Sequence, residues 1–157
     1  MSKIEEGKKA PDFTLDDQDG NAVTLSELRG RWALVYFYPK ADTPGCTAQA
    51  CSARDHSADY EAANAVVLGV SPDSVADLRK FADKYGLAFT LLSDPGGEVA
   101  QRFGAWVEKH RFGRTYFGNQ RSSVLVDPEG KVARVFENVK PAEHDELVLG
   151  ALRELAA

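Results

Sequence analysis

The chain has 157 residues, of which 43% are hydrophobic and 27% are charged, and its formal net charge at pH 7 is −5. This length and apolar content predict one globular domain spanning residues 1–157 with a single core. The acidic balance and the lack of a lysine- and arginine-rich block argue against a nucleic-acid partner. The charged N-terminus and the lack of a long apolar run argue against a secretory signal and a membrane span, so we expect a cytoplasmic protein.

The first predicted elements are two short strands and a turn. Residues 11–15 alternate between apolar and polar side chains and predict a strand, and residues 22–25 form its return after an Asp- and Gly-rich turn. A single helical turn at 26–30 then precedes the apolar run at 32–38. This run is rich in aromatic and β-branched residues, so it predicts a buried central strand.

The rest of the chain alternates between predicted helices and strands. In order, the elements are a helix from Pro44 to about Ala65, a strand at 65–70, a helix at 75–85 ended by Gly86, a strand at 89–92, a turn with a short helix at 94–103, strands at 122–126 and 132–136, and a helix from Pro141 with the apolar face Leu147, Val148, Leu152 and Leu155. This order predicts an α/β fold, in which helices flank both faces of a mixed central β-sheet. Segment 108–118 matches no such pattern, and we expect a surface loop near the rim of the functional site.

The two cysteines of the chain, Cys46 and Cys51, follow the predicted central strand directly. Thr43 has the character of a helix N-cap, and Pro44 suits the first helical position, where its missing N–H costs nothing. Cys46 then falls in the first turn, where unpaired N–H groups and the helix dipole stabilise a thiolate. The pattern predicts that Cys46 is a nucleophile.

The spacing of the two cysteines predicts that they do not bond while the helix is intact. Five residues along an α-helix give a rotation of about 140° and a rise of about 7.5 Å. The two Cα atoms are then about 8.5 Å apart, which is beyond the reach of a disulfide. Either the pair never bonds, or the first turns unwind when it does. The second alternative suits an enzyme that is first oxidised and then resolved.

The cysteines and histidines also have interpretations without a catalytic role. Cys51 has the alternative of an inert helical cysteine packed in the core. A zinc site is disfavoured because two cysteines supply half of a tetrahedral ligand set and the histidines His56, His110 and His144 lack ligand spacing. We expect the three histidines to be surface or packing residues.

Several motifs together carry a family resemblance. They are Tyr36 to Cys51 (YFYPKADTPGCTAQAC), Gly69 to Ser74 (GVSPDS), Leu92 to Pro95 (LSDP) and Arg121 to Gly130 (RSSVLVDPEG). In this order they closely resemble peroxiredoxins of the bacterioferritin comigratory protein type, also called peroxiredoxin Q. The resemblance implies a thioredoxin-like fold with an N-terminal β-hairpin extension. It also implies reduction of hydrogen peroxide and alkyl hydroperoxides by thiols alone, with no cofactor and no metal.

The same resemblance implies roles for individual residues. Pro39, Thr43 and Cys46 match the family's Pro-x-x-x-Thr-x-x-Cys signature, and Arg121 matches its active-site arginine. Cys46 is then the peroxide-reactive cysteine, and Arg121 stabilises the thiolate and the leaving oxygen. The Thr43 hydroxyl donates to a peroxide oxygen while accepting from a backbone N–H, and Pro39 shields the thiolate from water. Cys51 matches the resolving cysteine found in the same helix in part of the family.

The resemblance further implies a thioredoxin-like reductant as partner and a monomeric protein. Two rival functions remain in view. A thiol-disulfide oxidoreductase shares the fold, but its cysteines are usually two residues apart, which argues against it here. A redox sensor or holdase would also use a reactive thiol, and the residues leave this open as a second role.

Overall fold

The structure is a computed structural model that describes residues 4–156. This part of the chain contains nine strands and five α-helices. The strands are β1 (Thr14–Asp17), β2 (Ala22–Thr24), β3 (Trp32–Phe37), β4 (Ala65–Ser71), β5 (Thr90–Ser93), β6 (Trp106–Arg111), β7 (Arg114–Asn119), β8 (Ser122–Val126) and β9 (Val132–Glu137). The α-helices are α1 (Pro44–Asp55), α2 (Ser57–Ala62), α3 (Val75–Tyr85), α4 (Glu98–Arg102) and α5 (His144–Leu155). Within 4–156, none of these helices has the length and apolarity needed to cross a membrane.

Seven strands form the central sheet in the order β2-β1-β5-β4-β3-β8-β9. Strands β3, β4 and β5 run parallel to one another, whereas β8 is antiparallel to β3 and β9 is antiparallel to β8. The N-terminal hairpin of β1 and β2 extends the sheet because β1 pairs antiparallel with β5. The predicted mixed sheet with an N-terminal β-hairpin is thus confirmed.

The core lies on both faces of the sheet because successive side chains of β3 point in opposite directions. Leu34 and Tyr36 join a buried cluster that also contains side chains of α1, α2, α3 and α5. Val35 and Phe37 join the other cluster, which contains side chains of α4 and of the chain before β3. Helices therefore cover both faces, as predicted, although four of the five lie on one.

Helix α3 matches its predicted bounds. Ser74 precedes it in extended conformation, and its hydroxyl oxygen accepts a hydrogen bond from the Asp77 N–H at 3.2 Å. Gly86 ends the helix in the left-handed region with φ of 64°. Both signals are local, which is why the sequence predicts this helix well.

The helix predicted from Pro44 to about Ala65 is interrupted, so that prediction was wrong in its length. The backbone leaves helical geometry at His56, with φ of −99° and ψ of 11°, which separates α1 from α2. The His56 backbone N–H donates to the Ser52 carbonyl at 3.0 Å, and the ring Nδ1 lies 2.8 Å from the same oxygen. These contacts satisfy a carbonyl that a helix end would otherwise leave unpaired.

The last helix begins later than predicted and faces a different way. Helix α5 starts at His144, because the residues after Pro141 form a turn. Leu147 is 47% exposed and does not belong to the buried face. The buried apolar side chains of α5 are Val148, Leu149 and Leu152, with Leu155 packed against the same cluster at its edge.

Segment 108–118 is a β-hairpin, which corrects the prediction of a surface loop. Strands β6 and β7 pair antiparallel from Trp106 opposite Asn119 to Arg111 opposite Arg114. Phe112 and Gly113 form the two-residue turn, and both have positive φ, 51° and 74°. Such a turn matches the twist of the two strands, and glycine adopts it without strain.

Candidate active site

Strand pairing brings Arg121 to the start of α1. Strand β3 ends at Phe37, and the chain continues through a short loop into α1. Strand β8 is antiparallel to β3, with Ser122 opposite Phe37. Arg121 directly precedes Ser122, so it lies beside the residues that leave the C-terminal end of β3. This end is also where ligands commonly bind in α/β sheets.

Cys46 is the third residue of α1, and its side chain is buried, with 2% exposure. It packs in the same apolar cluster as Tyr36, Tyr38 and Ala50. Burial in such surroundings disfavours a charged thiolate unless a positive group lies close by. The position of Arg121 supplies that group.

The Arg121 guanidinium contacts both Cys46 and a second residue of α1. Its Nη2 lies 3.5 Å from the Cys46 Sγ, and its Nη1 donates to Gln49 Oε1 at 2.9 Å. Gln49 is 1% exposed and stands three residues after Cys46, hence on the same side of the helix. The sequence analysis missed Gln49, although this i, i+3 spacing was a usable signal.

Gly45 makes room for the guanidinium. A Cβ atom at this position would lie 2.9 Å from Arg121 Nη2, closer than such atoms normally approach. The backbone of α1 at Gly45 has ordinary helical geometry, so the glycine is required by the close approach of Arg121 and not by its torsion angles.

Thr43 occupies the predicted N-cap position, but its hydroxyl does not cap the helix. The residue is extended, with φ of −100° and ψ of 155°, and its carbonyl accepts the first helical hydrogen bond from the Thr47 N–H at 2.8 Å. The hydroxyl instead donates to the Lys40 carbonyl at 2.8 Å. The predicted bond from a helix N–H to this hydroxyl is absent.

Asp73 anchors the loop that leads into α1. Its Oδ2 accepts hydrogen bonds from the Ala41 N–H and from the Ser71 hydroxyl, both at 2.7 Å. Pro39, half-buried, lies in the same loop. Asp73 was not identified from the sequence, because it lies 32 residues from Ala41.

The base of the β6–β7 hairpin adjoins the residues that follow β3. The Asn119 side-chain amide at the end of β7 donates to the Tyr38 carbonyl at 3.1 Å and to the Val70 carbonyl at 3.2 Å. Lys109 of β6 lies near enough to Arg121 and Cys46 for their charges to influence its pKa. Burial and the positive charge of Arg121 lower the pKa of Lys109, while the negative charge of a Cys46 thiolate opposes this shift.

Cys51 lies in α1 with Cys46, and neither cysteine is in a disulfide. Helix α1 is continuous from Pro44 to Asp55, so the straight-helix separation of about 8.5 Å between the two Cα atoms applies. Cys51 is only partly buried, which leaves it less firmly packed than Cys46. The structure brings Arg121 to Cys46 and keeps Cys51 away from it.

The three histidines occupy three different environments. His110 is exposed on β6, and His56 lies at the junction of α1 and α2. His144 is buried, with its Nε2 2.6 Å from the Ser123 hydroxyl. Burial, aided by the charge of Arg121, lowers the pKa of His144 to about 4. Within residues 4–156, no three His, Cys, Asp or Glu side chains are grouped as a metal site requires.

Comparisons with known proteins show the family of the chain. The model of the AhpC/TSA family matches residues 6–135. The chain is 47% identical to peroxiredoxin Bcp of Escherichia coli K12 over 156 residues, which covers 99% of this chain and 100% of that protein.

Two solved structures show the same fold. The bacterioferritin comigratory protein of Xanthomonas campestris superposes with a TM-score of 0.90 at 35% identity, over 98% of this chain and 100% of the other. A cysteine-to-serine mutant of PrxQ from Xylella fastidiosa superposes with a TM-score of 0.93 at 30% identity, over 100% of both chains. The predicted thioredoxin-like fold is thereby confirmed. The chain belongs to the AhpC/TSA family and is a peroxiredoxin of the bacterioferritin comigratory protein, or PrxQ, type.

Proposed function

We propose that this peroxidase reduces hydrogen peroxide and alkyl hydroperoxides at Cys46. The Cys46 thiolate attacks the terminal peroxide oxygen, and the O–O bond breaks as the new S–O bond forms. Cys46 becomes a sulfenic acid, and the remaining oxygen leaves as hydroxide or alkoxide, which then takes up a proton. The similar bacterioferritin comigratory protein from Xanthomonas campestris has alkyl peroxide reduction activity.

The observation that supports this proposal most directly is the contact between Arg121 Nη2 and the Cys46 Sγ at 3.5 Å. The fixed positive charge stabilises the thiolate before the reaction and the negative charge that develops on the leaving oxygen. Gln49 holds the guanidinium from its other side. A buried sulfur beside a half-buried cation is suited to reaction with a small polar substrate.

Thr43 and Pro39 complete the proposed site. The Thr43 hydroxyl, which donates to the Lys40 carbonyl in the absence of substrate, turns to donate to a peroxide oxygen when substrate binds. Pro39 covers the thiolate and reduces its exposure to water. Both residues belong to the short loop between β3 and α1.

We further propose that Cys51 resolves the sulfenic acid, which makes the enzyme an atypical two-cysteine peroxiredoxin. The Cys51 thiol attacks the Cys46 sulfur, a disulfide forms, and the sulfenic oxygen leaves as water. Thioredoxin or a similar dithiol donor reduces the disulfide back to two thiols and is itself oxidised. The reaction needs no metal and no bound cofactor, and a monomer can carry it out.

Intact-mass spectrometry after one equivalent of peroxide tests the proposal. In the wild type we expect the loss of two hydrogens that accompanies an internal disulfide. Cys51→Ser should instead gain one oxygen, and Cys46→Ser should not react. A Cys46→Ser variant that still consumes peroxide at the wild-type rate contradicts the assignment of the nucleophile.

Turnover assays separate the proposal from its two rivals. Peroxide consumption that depends on thioredoxin supports a peroxidase with this reductant. Insulin reduction without peroxide would instead favour a thiol-disulfide oxidoreductase. Stoichiometric oxidation without turnover under any dithiol would favour a redox sensor.

A further inference from the structure

The C-terminal end of α3 holds both ends of α1. At the entrance to α1, the Tyr85 hydroxyl donates to Asp42 Oδ1 at 2.6 Å and Lys84 Nζ donates to Asp42 Oδ2 at 2.9 Å. In the last turn of α1, Arg54 Nη1 donates to the Tyr85 carbonyl at 2.6 Å. One residue, Tyr85, therefore contacts the chain on both sides of the two cysteines.

Asp42 has an unfavourable backbone conformation. Its φ is 59°, in the left-handed region that residues other than glycine adopt rarely, with asparagine and aspartate the best tolerated. The hydrogen bonds from Tyr85 and Lys84 lower the pKa of the Asp42 carboxyl, so it stays charged and keeps both partners. We call the contacts of Tyr85 and Lys84 with Asp42, together with the contact of Arg54 with the Tyr85 carbonyl, the clamp. The clamp stabilises the turn from which α1 starts.

The Tyr85 ring does not depend on its hydroxyl for its position. It packs edge-on against the Phe81 ring, with centroids 5.6 Å apart and an interplanar angle of 78°. Loss of the hydroxyl therefore removes the contact to Asp42 and leaves the ring in the same place. This makes the contact testable by a single-atom change.

We propose that Tyr85 is a positioning residue that keeps α1 folded and thereby sets how readily α1 unwinds between oxidation of Cys46 and disulfide formation. The inference rests on the proposed function, because the two cysteines can bond only after the helix between them opens. The clamp favours the folded helix, in which Arg121 contacts Cys46. It opposes the unwound state, in which Cys51 reaches the sulfenic acid.

The clamp should also influence over-oxidation. While α1 stays folded, the Cys46 sulfenic acid can react with a second peroxide, which gives a sulfinic acid and releases water or an alcohol. When α1 unwinds, Cys51 reacts instead and the disulfide forms with loss of water. A tighter clamp therefore lengthens the time available to the second peroxide, and a weaker clamp shortens it.

The test compares Tyr85→Phe with Tyr116→Phe. Tyr116 is a partly exposed residue of β7 outside both α1 and the clamp, which makes it the matched control. The first measurement is hydrogen exchange of residues 44–55 in the reduced protein. We expect exchange about fivefold faster in Tyr85→Phe, the factor that corresponds to one ordinary hydrogen bond, and no change in the control. Equal exchange in wild type and Tyr85→Phe overturns the inference.

The second measurement is the ratio of disulfide to sulfinic acid at rising peroxide, read by intact mass. Tyr85→Phe should form more disulfide and less sulfinic acid. A residue that merely stabilises the fold would shift the unfolding midpoint without this change in product ratio. If the wild type forms no internal disulfide, the proposed role of Cys51 fails, while the exchange measurement still decides the role of Tyr85.

A third arm uses Asp42→Gly, in which the backbone can keep its left-handed turn but the carboxylate is gone. In this background Tyr85→Phe should have no further effect on the exchange of α1, because its hydrogen-bond partner is missing. A full additional effect would show that Tyr85 acts through some other contact, which contradicts the proposed clamp.

Discussion

At the scale of single residues, the chemistry depends on how one guanidinium reaches one buried sulfur. Gln49 of α1 accepts a hydrogen bond from Arg121. Gly45 of α1 has no side chain and so leaves space for the guanidinium. A positive charge near a buried thiolate offsets the cost of removing that thiolate from water. The proposed reactivity of Cys46 therefore depends on Arg121, Gln49 and Gly45 as well as on the cysteine itself.

Arg121→Ala should reduce the fraction of Cys46 present as thiolate at neutral pH and slow its oxidation. Removal of a charged donor aimed at developing charge typically costs about 100- to 1,000-fold in rate. Thiolate absorbance across a pH titration and stopped-flow oxidation by hydrogen peroxide measure the two effects. Arg134→Ala is the matched control, because Arg134 forms a surface ion pair with Glu154. An unchanged titration in Arg121→Ala would leave Arg121 with a structural role alone.

Gly45→Ala should slow the reaction with peroxide without unfolding the protein. The added methyl group would lie 2.9 Å from Arg121 Nη2, so the guanidinium must move away from the sulfur. Displacement of a catalytic group by about 1 Å can cost up to about 100-fold in rate. Gly150→Ala on α5, where a Cβ meets nothing within 4 Å, is the control. Equal oxidation rates in wild type and Gly45→Ala would show that the guanidinium has another productive position.

At the scale of elements, the proposed mechanism makes two conflicting demands on α1. The folded helix keeps Cys46 buried against Arg121, whereas bond formation with Cys51 requires a shorter separation than about 8.5 Å between the Cα atoms. The first turn of α1 contains Pro44 and Gly45, which contribute little packing. Opening from this end therefore costs less than opening elsewhere in the core.

We predict that disulfide formation unfolds the segment from about Thr43 to Cys51. Hydrogen exchange in this segment should be faster in the disulfide form than in the reduced form. Cys51→Ser should remain protected and accumulate over-oxidised Cys46, because no thiol competes with the second peroxide. Equal protection in both forms, together with an intact-mass shift that proves the bond, would show that the cysteines lie within reach in the folded helix.

At the scale of the whole molecule, a buried polar group ties α5 to the sheet. His144 at the start of α5 is 1% exposed and faces the Ser123 hydroxyl of β8, and the neighbouring Asp145 accepts a hydrogen bond from Tyr60 of α2 at 2.5 Å. Burial lowers the pKa of His144 to about 4, an effect to which Arg121 adds and which Asp145 opposes. His144 is therefore neutral in the folded protein at neutral pH.

The protein should lose stability as the pH falls from about 6.5, the pKa of an unfolded histidine, towards about 4, the folded value. In this window the unfolded chain binds a proton that the folded protein resists, so acid favours unfolding. The loss from this group reaches about 3 kcal/mol at the acid end. His144→Gln keeps a polar group towards Ser123 but does not titrate. The free energy of unfolding at about pH 7 and about pH 5 should therefore differ less in this variant. Equal differences in both proteins would show that other groups dominate.

The sequence by itself determined those features whose physical cause lies in neighbouring residues. Helix α3 matches its prediction because Ser74 and Gly86 cap it locally. The placement of Cys46 in the first turn of α1 also has a local cause, because Thr43 occupies the N-cap position and Pro44 the first helical position, although the Thr43 hydroxyl makes no cap hydrogen bond. The family motifs are likewise runs of consecutive residues, and the comparisons confirm the peroxiredoxin assignment that rests on them.

The tertiary structure decided the features that depend on residues far apart in the chain. Arg121 and Cys46 are 75 residues apart, and only the antiparallel register of β8 on β3 brings them together. The break between α1 and α2 at His56 and the exposure of Leu147 were also not predicted. A hydrophobic residue at helical spacing is compatible with several rotations of the helix, and packing against the sheet selects one of them. Local sequence therefore placed the proposed nucleophile Cys46 in the first turn of α1, whereas the pairing of distant strands placed the charge of Arg121 beside it.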